Sequence, residues 1–314
     1  MKKMNKIFLS MKSLSDEIYS TDKCLSFKIE KEVYTPYSSF SGIFLMDCDT
    51  MNISDIEFFI DDKLIHKGFA DVIEEKYEKG LKTIRVVSRG YSSLLCESEM
   101  PEGIFSNPSI NYILAFSNVP FVEHENSSES INYIYLNHHS SVWEACIMLC
   151  LKKHGRYPFV RFPNIVCHSL PETTPFYITE NILSKGNLLN LRSAISDVYM
   201  RSLTETGEEE DEYTMHLKDS EIRSLGIRRE QYYGYDKMWA FDSSLGLRTK
   251  INLSLKGMRA DFIRYSGFNG EDINDKVVFD NKEGRINRIL INGTKNGIQT
   301  TLWRYYDRYN NINN

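Results

Sequence analysis

Cys146, Cys150 and His154 stand four residues apart, so on a helix their three metal-ligating side chains lie near one face. Cys167 and His168 follow on a later segment, and thiolates with imidazoles in such a set can hold zinc tetrahedrally. Zinc sites usually draw paired ligands from tight knuckles such as CxxC, and this sequence contains none. The simpler expectation makes Cys146 and Cys150 small core residues of a buried helix face, with His154 a polar residue at its end. The cysteines (Cys24, Cys48, Cys96, Cys146, Cys150 and Cys167) are dispersed through apolar strand or helix patterns. That suits free buried thiols in a reducing compartment better than a disulfide framework.

Other constellations are weaker. His138-His139 beside Ser140-Ser141 offers a base and a hydroxyl, but no GxSxG elbow is present, and a polar turn before a capped helix is the plainer expectation. The acidic run Glu208-Glu209-Glu210-Asp211-Glu212 lacks the alternating ligands and central glycine of a calcium loop and is expected to be a solvated hairpin tip. There is no GxxxxGK[ST], HExxH or dinucleotide fingerprint. No pair among the 43 acidic residues stands out as a glycosidase dyad. Trp303-Arg304-Tyr305-Tyr306 could stack on nucleic acid. The net charge of −5 argues against non-specific nucleic-acid binding and favours an exterior strand face or a subunit contact there. No cofactor is expected.

The elements that would position these residues are mostly strands. Leu25–Lys31 and Ser41–Asp49 alternate or run apolar; Ile56–Ile60 and Lys63–Phe69 flank Asp61-Asp62 as a hairpin. Ala70–Glu78 turns at Lys79-Gly80 into Leu81–Ser88, Arg89-Gly90 closes the unit, and Leu94–Ser98 ends it. Seven of the eight prolines then fall between Pro101 and Pro175 and none follows, which marks a boundary. Within that stretch Ser141 and Glu144 have capping-box spacing, Lys152 and Lys153 suit a helix C-terminus, and Gly155 and Pro158 stop it. Phe159–Val166 reads as a short strand. Beyond, Leu188–Leu203 and Tyr213–Leu217 read as two long strands around the acidic run, and 242–258 as a helix weakened by Gly246. Strands are expected at 261–268, 276–279, 284–291 and 297–306, with a terminal hairpin turning at Asn292-Gly293 and a frayed tail at 310–314.

The expected class is therefore α+β, mainly β: two tube-like antiparallel β-barrel domains, 1–100 and 176–314, with an α/β insertion at 101–175. A hydrophobic content of 41% and a charged content of 26% suit a folded chain. No apolar run approaches about 18 residues, so no transmembrane helix and no membrane partner are expected. The lysine-rich start is too short in its apolar stretch for a secretion signal, which predicts synthesis and residence in the cytoplasm.

Ile56 to Gly68, with its acidic turn and closing glycine, then Asp71-Val72, Val86-Val87-Ser88-Arg89-Gly90 and Leu94–Ser98, resembles the N-terminal tube-like domain of contractile-tail hub proteins, the late control protein D family that includes the phage Mu hub. The ending, 284–291 with 297–306, is similar to that family's closing hairpin. The resemblance implies a baseplate hub of a phage or of a bacteriocin particle of the R-pyocin or diffocin type. It also implies a homotrimer whose six barrels ring a channel, with the spike protein, the tail tube protein and other baseplate proteins as partners. Acidic lining of such a channel would repel nucleic acid. Trp303, Tyr305 and the loop carrying Glu208, Glu209 and Glu210 become interface candidates. A cell-wall hydrolase or peptidase carried by the particle, or a tail-tip carbohydrate-binding module with exposed Trp and Tyr, are the alternatives.

Overall fold

The computed structural model describes residues 6–46, 52–127, 129–294 and 296–306. Cys48 and the expected frayed tail at 310–314 lie outside the described residues.

The first seven strands are β1 (Ile7–Ser13), β2 (Ile18–Thr21), β3 (Cys24–Glu32), β4 (Ser39–Leu45), β5 (Ile53–Ile60), β6 (Lys63–Glu78) and β7 (Leu81–Gly90). The hairpin between β5 and β6 forms where the acidic pair predicts it. Asp61 and Asp62 have φ of 49° and 62°, and two left-handed residues match the twist of the flanking strands. Lys79 and Gly80, at 51° and 78°, do the same between β6 and β7. β1 and β2 precede the first strand legible in the sequence. β1 is held by its ladder to β5, Ile7↔Ile60 through Met11↔Ile56.

The middle of the chain holds the short α1 (Leu94–Glu97), β8 (Gly103–Ser106), α2 (Ile110–Ser117), β9 (Glu123–His124), β10 (Tyr133–Leu136), α3 (Val142–His154), β11 (Phe159–Arg161) and β12 (Ile165–Cys167). α3 is built as its sequence dictates. Ser141 Oγ accepts from Glu144 N at 3.1 Å, Ser141 N donates to the Glu144 carboxylate at 2.8 Å, and Gly155 ends the helix at φ 62°. Its apolar side packs against Ile134 and Leu136 of β10 and Ile110 and Ile113 of α2 in a core separate from that of the large sheet.

The rest comprises β13 (Phe176–Tyr177), β14 (Ile182–Leu189), β15 (Asp197–Met200), β16 (Met215–Lys218), α4 (Ser220–Ser224), β17 (Glu230–Tyr233), α5 (Ser243–Ser254), β18 (Arg259–Ser266), β19 (Lys276–Phe279), β20 (Lys282–Arg285), β21 (Arg288–Thr294) and β22 (Gly297–Tyr305). Two expectations are corrected here. Leu188–Leu203 is not one strand. Asn190 Oδ1 accepts from Arg192 N in a local turn that ends β14, and pairing resumes only at Asp197. The terminal hairpin does not turn at Asn292-Gly293. Gly293 sits inside β21 opposite Phe27, whose ring occupies the place of a side chain: a Cβ there would lie 1.8 Å from Phe27 Cε1.

Eleven strands form one sheet in the order β14-β18-β22-β21-β3-β4-β7-β6-β5-β1-β2. The ladder from Arg288↔Glu32 to Thr294↔Ser26 joins C-terminal β21 to N-terminal β3. One apolar core under this sheet takes residues from both ends of the chain, including Phe27, Ile29, Phe40, Phe58, Ile84, Ile263, Ile289 and Leu302. A third core, around Val198, Met200, Ile222, Leu247 and Ile251, seats α5 against β15. The chain is mainly β with few helices. Among the described residues no helix is long and apolar enough to cross a membrane.

Candidate functional site

Among the described thiols Cys146, Cys150 and Cys167 are buried, Cys24 is half-buried and Cys96 is exposed. Cys146 and Cys150 are buried on α3, and burial pushes the Cys146 thiol up to about 12 and that of Cys150 well above its usual range. Cys167, buried on β12, is pushed up to about 12 by burial, with the nearby Glu125 adding to the shift. A zinc ion would have to displace those protons on binding. His154 lies 3.9 Å from Glu129, and its ring stands 5.2 Å from that of His168. Among the described residues no three His, Cys, Asp or Glu side chains converge on a position for a metal ion. Ser141 is spent as a helix cap, and His139 meets Glu99 at 3.0 Å. A constellation that the sequence does not advertise is His66 between Ser38 and Ser88, each hydroxyl 2.8 Å from a ring nitrogen. With His66 and Ser88 both at 0% exposure, it is an internal hydrogen-bond bridge across the sheet.

The nominated interface residues separate. Tyr305 is only 6% exposed, its hydroxyl donates to Glu32 at 2.7 Å, and its ring stacks on Tyr34; it belongs to the chain's own core and offers no surface for a partner. Trp303 is half-buried and packs against the large core, with its ring 6.5 Å from that of Phe262 and under the Arg288 guanidinium at 4.8 Å. Glu208 and Glu209 are exposed and Glu210 is half-buried, on the loop between β15 and β16. Glu210 accepts from Ser202 and from Thr214 at 2.7 Å, and Glu209 accepts from Tyr235 N at 3.1 Å, so the tip is tied down.

At the other end of the β15–β16 ladder lies Asp197, at 0% exposure. Burial alone would raise its carboxyl, but Arg223, Ser196 and His216 outweigh this and hold it at about 2. Ser196 Oγ donates to it at 2.7 Å, Arg223 Nε at 3.0 Å, and His216 Nε2 lies 3.1 Å away. Asp197→Asn should cost about 1.5 kcal/mol, the worth of hydrogen bonds to a charged group, read as a lower urea midpoint at neutral pH. An unchanged midpoint would mean that Arg223 is not bound through the charge. On the same small sheet, His216, Tyr199 and Tyr232 stack at 4.0 and 4.8 Å with interplanar angles of 8°. Both faces of the Tyr199 ring are thereby covered by its neighbours, and a sugar platform needs free ring faces.

The open backbone of the large sheet is a different kind of site. β14 is its terminal strand, exposed at nearly every residue, with Ile182, Leu183, Leu188 and Leu189 among the exposed apolar side chains. β5 pairs with β6 only up to Asp55↔Phe69, while β7 follows β6 out to Leu81↔Glu78. The outer half of β6 therefore has one free edge among the described residues. A long exposed edge with apolar side chains, as on β14, is a ready template for pairing with another chain. The face of these strands opposite the core carries Lys28, Arg85, Arg264 and Arg288 beside Glu30 and Glu74. Lys28–Glu30 at 2.8 Å and Arg85–Glu74 at 3.3 Å are among its ion pairs. Both signs of charge alternate along this face.

No protein-family model matches the sequence, and no curated protein is similar to it in sequence. Solved structures are similar in shape along nearly the whole length. A 43 kDa tail protein of a Shewanella oneidensis prophage matches with a TM-score of 0.69 at 15% identity, over 96% of this chain and 98% of that one. The chain has the fold of phage tail proteins. A tail protein of Neisseria meningitidis shares this tail-protein fold, with a TM-score of 0.70 at 13% identity over 97% and 98% of the two chains. An Escherichia coli component of the type VI secretion system, described as similar to phage T4 tail proteins, matches at 0.58 and 8% identity over 96% of this chain and 78% of that one.

Proposed function

We propose that this chain is a structural hub subunit of a contractile injection particle, a phage tail or a tail-like bacteriocin, in which three copies form a ring between the tail tube and the central spike. The observation that carries this reading is the junction between β21 and β3. It joins two four-stranded sets, β14-β18-β22-β21 and β3-β4-β7-β6, edge to edge within one chain. Every neighbouring pair in that run is antiparallel, so β6 runs opposite to β14. A second copy can then add its β14 to the free outer half of β6 in the antiparallel sense, the same kind of junction as β21–β3. Such a contact is heterologous, and heterologous contacts close into rings when the rotation allows. Two strand-rich units per chain, 1–100 and 176–314, repeated three times, give six around the axis, with the module at 101–175 to the side. The tail-protein fold supports a place in the assembled particle and partners among its spike, tube and baseplate proteins. The role is mechanical, and no step of it needs a catalytic group.

Light scattering on the purified protein tests this directly. The expected native mass is about 110 kDa, three times 36.6 kDa. Leu183→Pro should reduce it to the monomer mass while leaving the circular dichroism of the fold intact. Leu183 is the extra residue of the β14 bulge, opposite no residue of β18, and proline is tolerated at edge-strand bulges, so the variant should hinder outer pairing while sparing the internal ladder. A wild-type monomer that also fails to assemble with co-expressed tube and spike proteins would sink the hub reading. A trimer indifferent to Leu183→Pro would sink only the β14 contact.

A further inference from the structure

Phe241 is the most exposed large apolar residue of the described chain, at 91%. It directly precedes Asp242, whose carboxylate caps α5 by accepting from Leu245 N at 2.9 Å. At this position an apolar side chain commonly packs back on the fourth helical residue. Here that residue is Gly246, and the space beside it is filled by Trp239. Phe241 is therefore held outward, where its ring meets Tyr133 edge to face at 6.0 Å. Tyr133 and Tyr135 project from the same face of β10, and Tyr135 stands opposite Ile104 of β8, itself 69% exposed. The result is an apolar and aromatic row in which Tyr133 and Tyr135 are half-buried under Lys152 and Lys237, at 3.3 and 4.8 Å from their rings, while Phe241 and Ile104 at its two ends stay open, and the outer edge of β8 beside it is unpaired among the described residues.

The acidic loop flanks this row. Glu209, bonded to Tyr235 N, brings the loop next to Lys237, whose ammonium lies over the Tyr135 ring at 4.8 Å and donates to its hydroxyl at 3.1 Å. Glu205, Glu208, Asp211 and Glu212 are exposed on the loop, and Glu102 is exposed on the other side of Tyr135, with their oxygens 3.3 Å apart. An aromatic centre inside a charged rim is the ordinary anatomy of a protein docking site; here Lys237, Lys152 and Arg201, the last 3.6 Å from Glu209, stand beside the more numerous exposed carboxylates of Glu102, Glu205, Glu208, Asp211 and Glu212.

We propose that this face docks a basic segment of another protein of the particle, one that lays a bulky apolar side chain against Phe241 and Ile104 and sets lysine or arginine against the acidic loop. Nucleic acid, an anionic bilayer or an acidic peptide would meet the carboxylates of the loop as like charge. The proposal names a partner surface that the ring does not use, so native mass and docking report on separate claims.

The test uses the full chain and a short fluorescent peptide of alternating lysine and leucine, with a glutamate–leucine peptide as its counterpart. The basic peptide should bind and the acidic one should not. Phe241→Ser should weaken binding about tenfold, and Glu208→Lys with Asp211→Lys should weaken it further and flatten its salt dependence. All three positions are exposed, so circular dichroism and native mass should not change. Binding that ignores Phe241→Ser would show attraction to any acidic surface and overturn the proposal, as would equal binding of the acidic peptide or no binding at all.

Discussion

Gly68→Ala should destabilise the fold by about 3 kcal/mol or more, one of the largest effects of any single methyl group in this chain. Gly68 stands where β6 crosses Gly90 of β7 and Ile56 of β5. A Cβ there would lie 1.9 Å from the carbonyl oxygen of Arg89 and 2.8 Å from Gly90 Cα. Both are backbone, so no side-chain rotation can relieve the overlap and the two strands must separate. Gly80→Ala is the informative contrast. Nothing lies within 4 Å of its Cβ position and its φ is 78°, so the cost is the left-handed backbone alone, about 1 kcal/mol. Urea unfolding of the two variants separates the mechanisms. Equal midpoints would mean that β6 and β7 tolerate wider spacing than the structure has.

That glycine also shows what a sequence can and cannot convey. Its place at the end of a hairpin is visible in the residues; its reason, the approach of two backbones, exists only in the paired sheet. The turns at Asp61-Asp62 and Lys79-Gly80 and the capped helix α3 are legible because their causes are local: left-handed residues, a serine and a glutamate three apart, a terminal glycine. The β21–β3 ladder is not legible, because its partners are more than two hundred residues apart and neither strand carries a signal for the other. The end of β14 was missed because the Asn190 turn interrupts a run whose apolar residues continue. Tyr305 was misplaced for a related reason. Strand alternation puts it with exposed Gln299 and half-buried Trp303, but Tyr34 and Gly257 cover that end of β22. The candidate docking face was half legible: the acidic run is plain in the sequence, while Phe241 becomes notable only once Gly246 is seen to deny it a seat.

Lowering the pH from about 7 to about 5 should remove about 2 kcal/mol of stability through His66 alone. The imidazole is fully buried between Ser38 and Ser88, stacked on Phe40 with centroids 5.4 Å apart. A neutral ring donates from one nitrogen and accepts at the other, and the two hydroxyls satisfy both. Burial, helped by the charge of Lys31, pushes its pKa down to about 3. Below the unfolded value of about 6.5 the unfolded chain binds a proton that the folded chain refuses, so stability falls as pH falls, at about 1.4 kcal/mol per unit until the folded value is reached. His154, also lowered by burial, acts in the same direction, so the wild-type slope should exceed that of His66 alone. The carboxyl of Asp197, held at about 2, adds its loss only below about pH 4, which leaves the window from 7 to 5 to the histidines. His66→Leu leaves two hydroxyls without their partner and should be less stable at every pH. Its distinguishing result is the slope: urea midpoints should change less between pH 7 and 5 than in the wild type, by about 2 kcal/mol. An unaltered slope would mean that water reaches the ring and lets it take its proton inside the folded sheet.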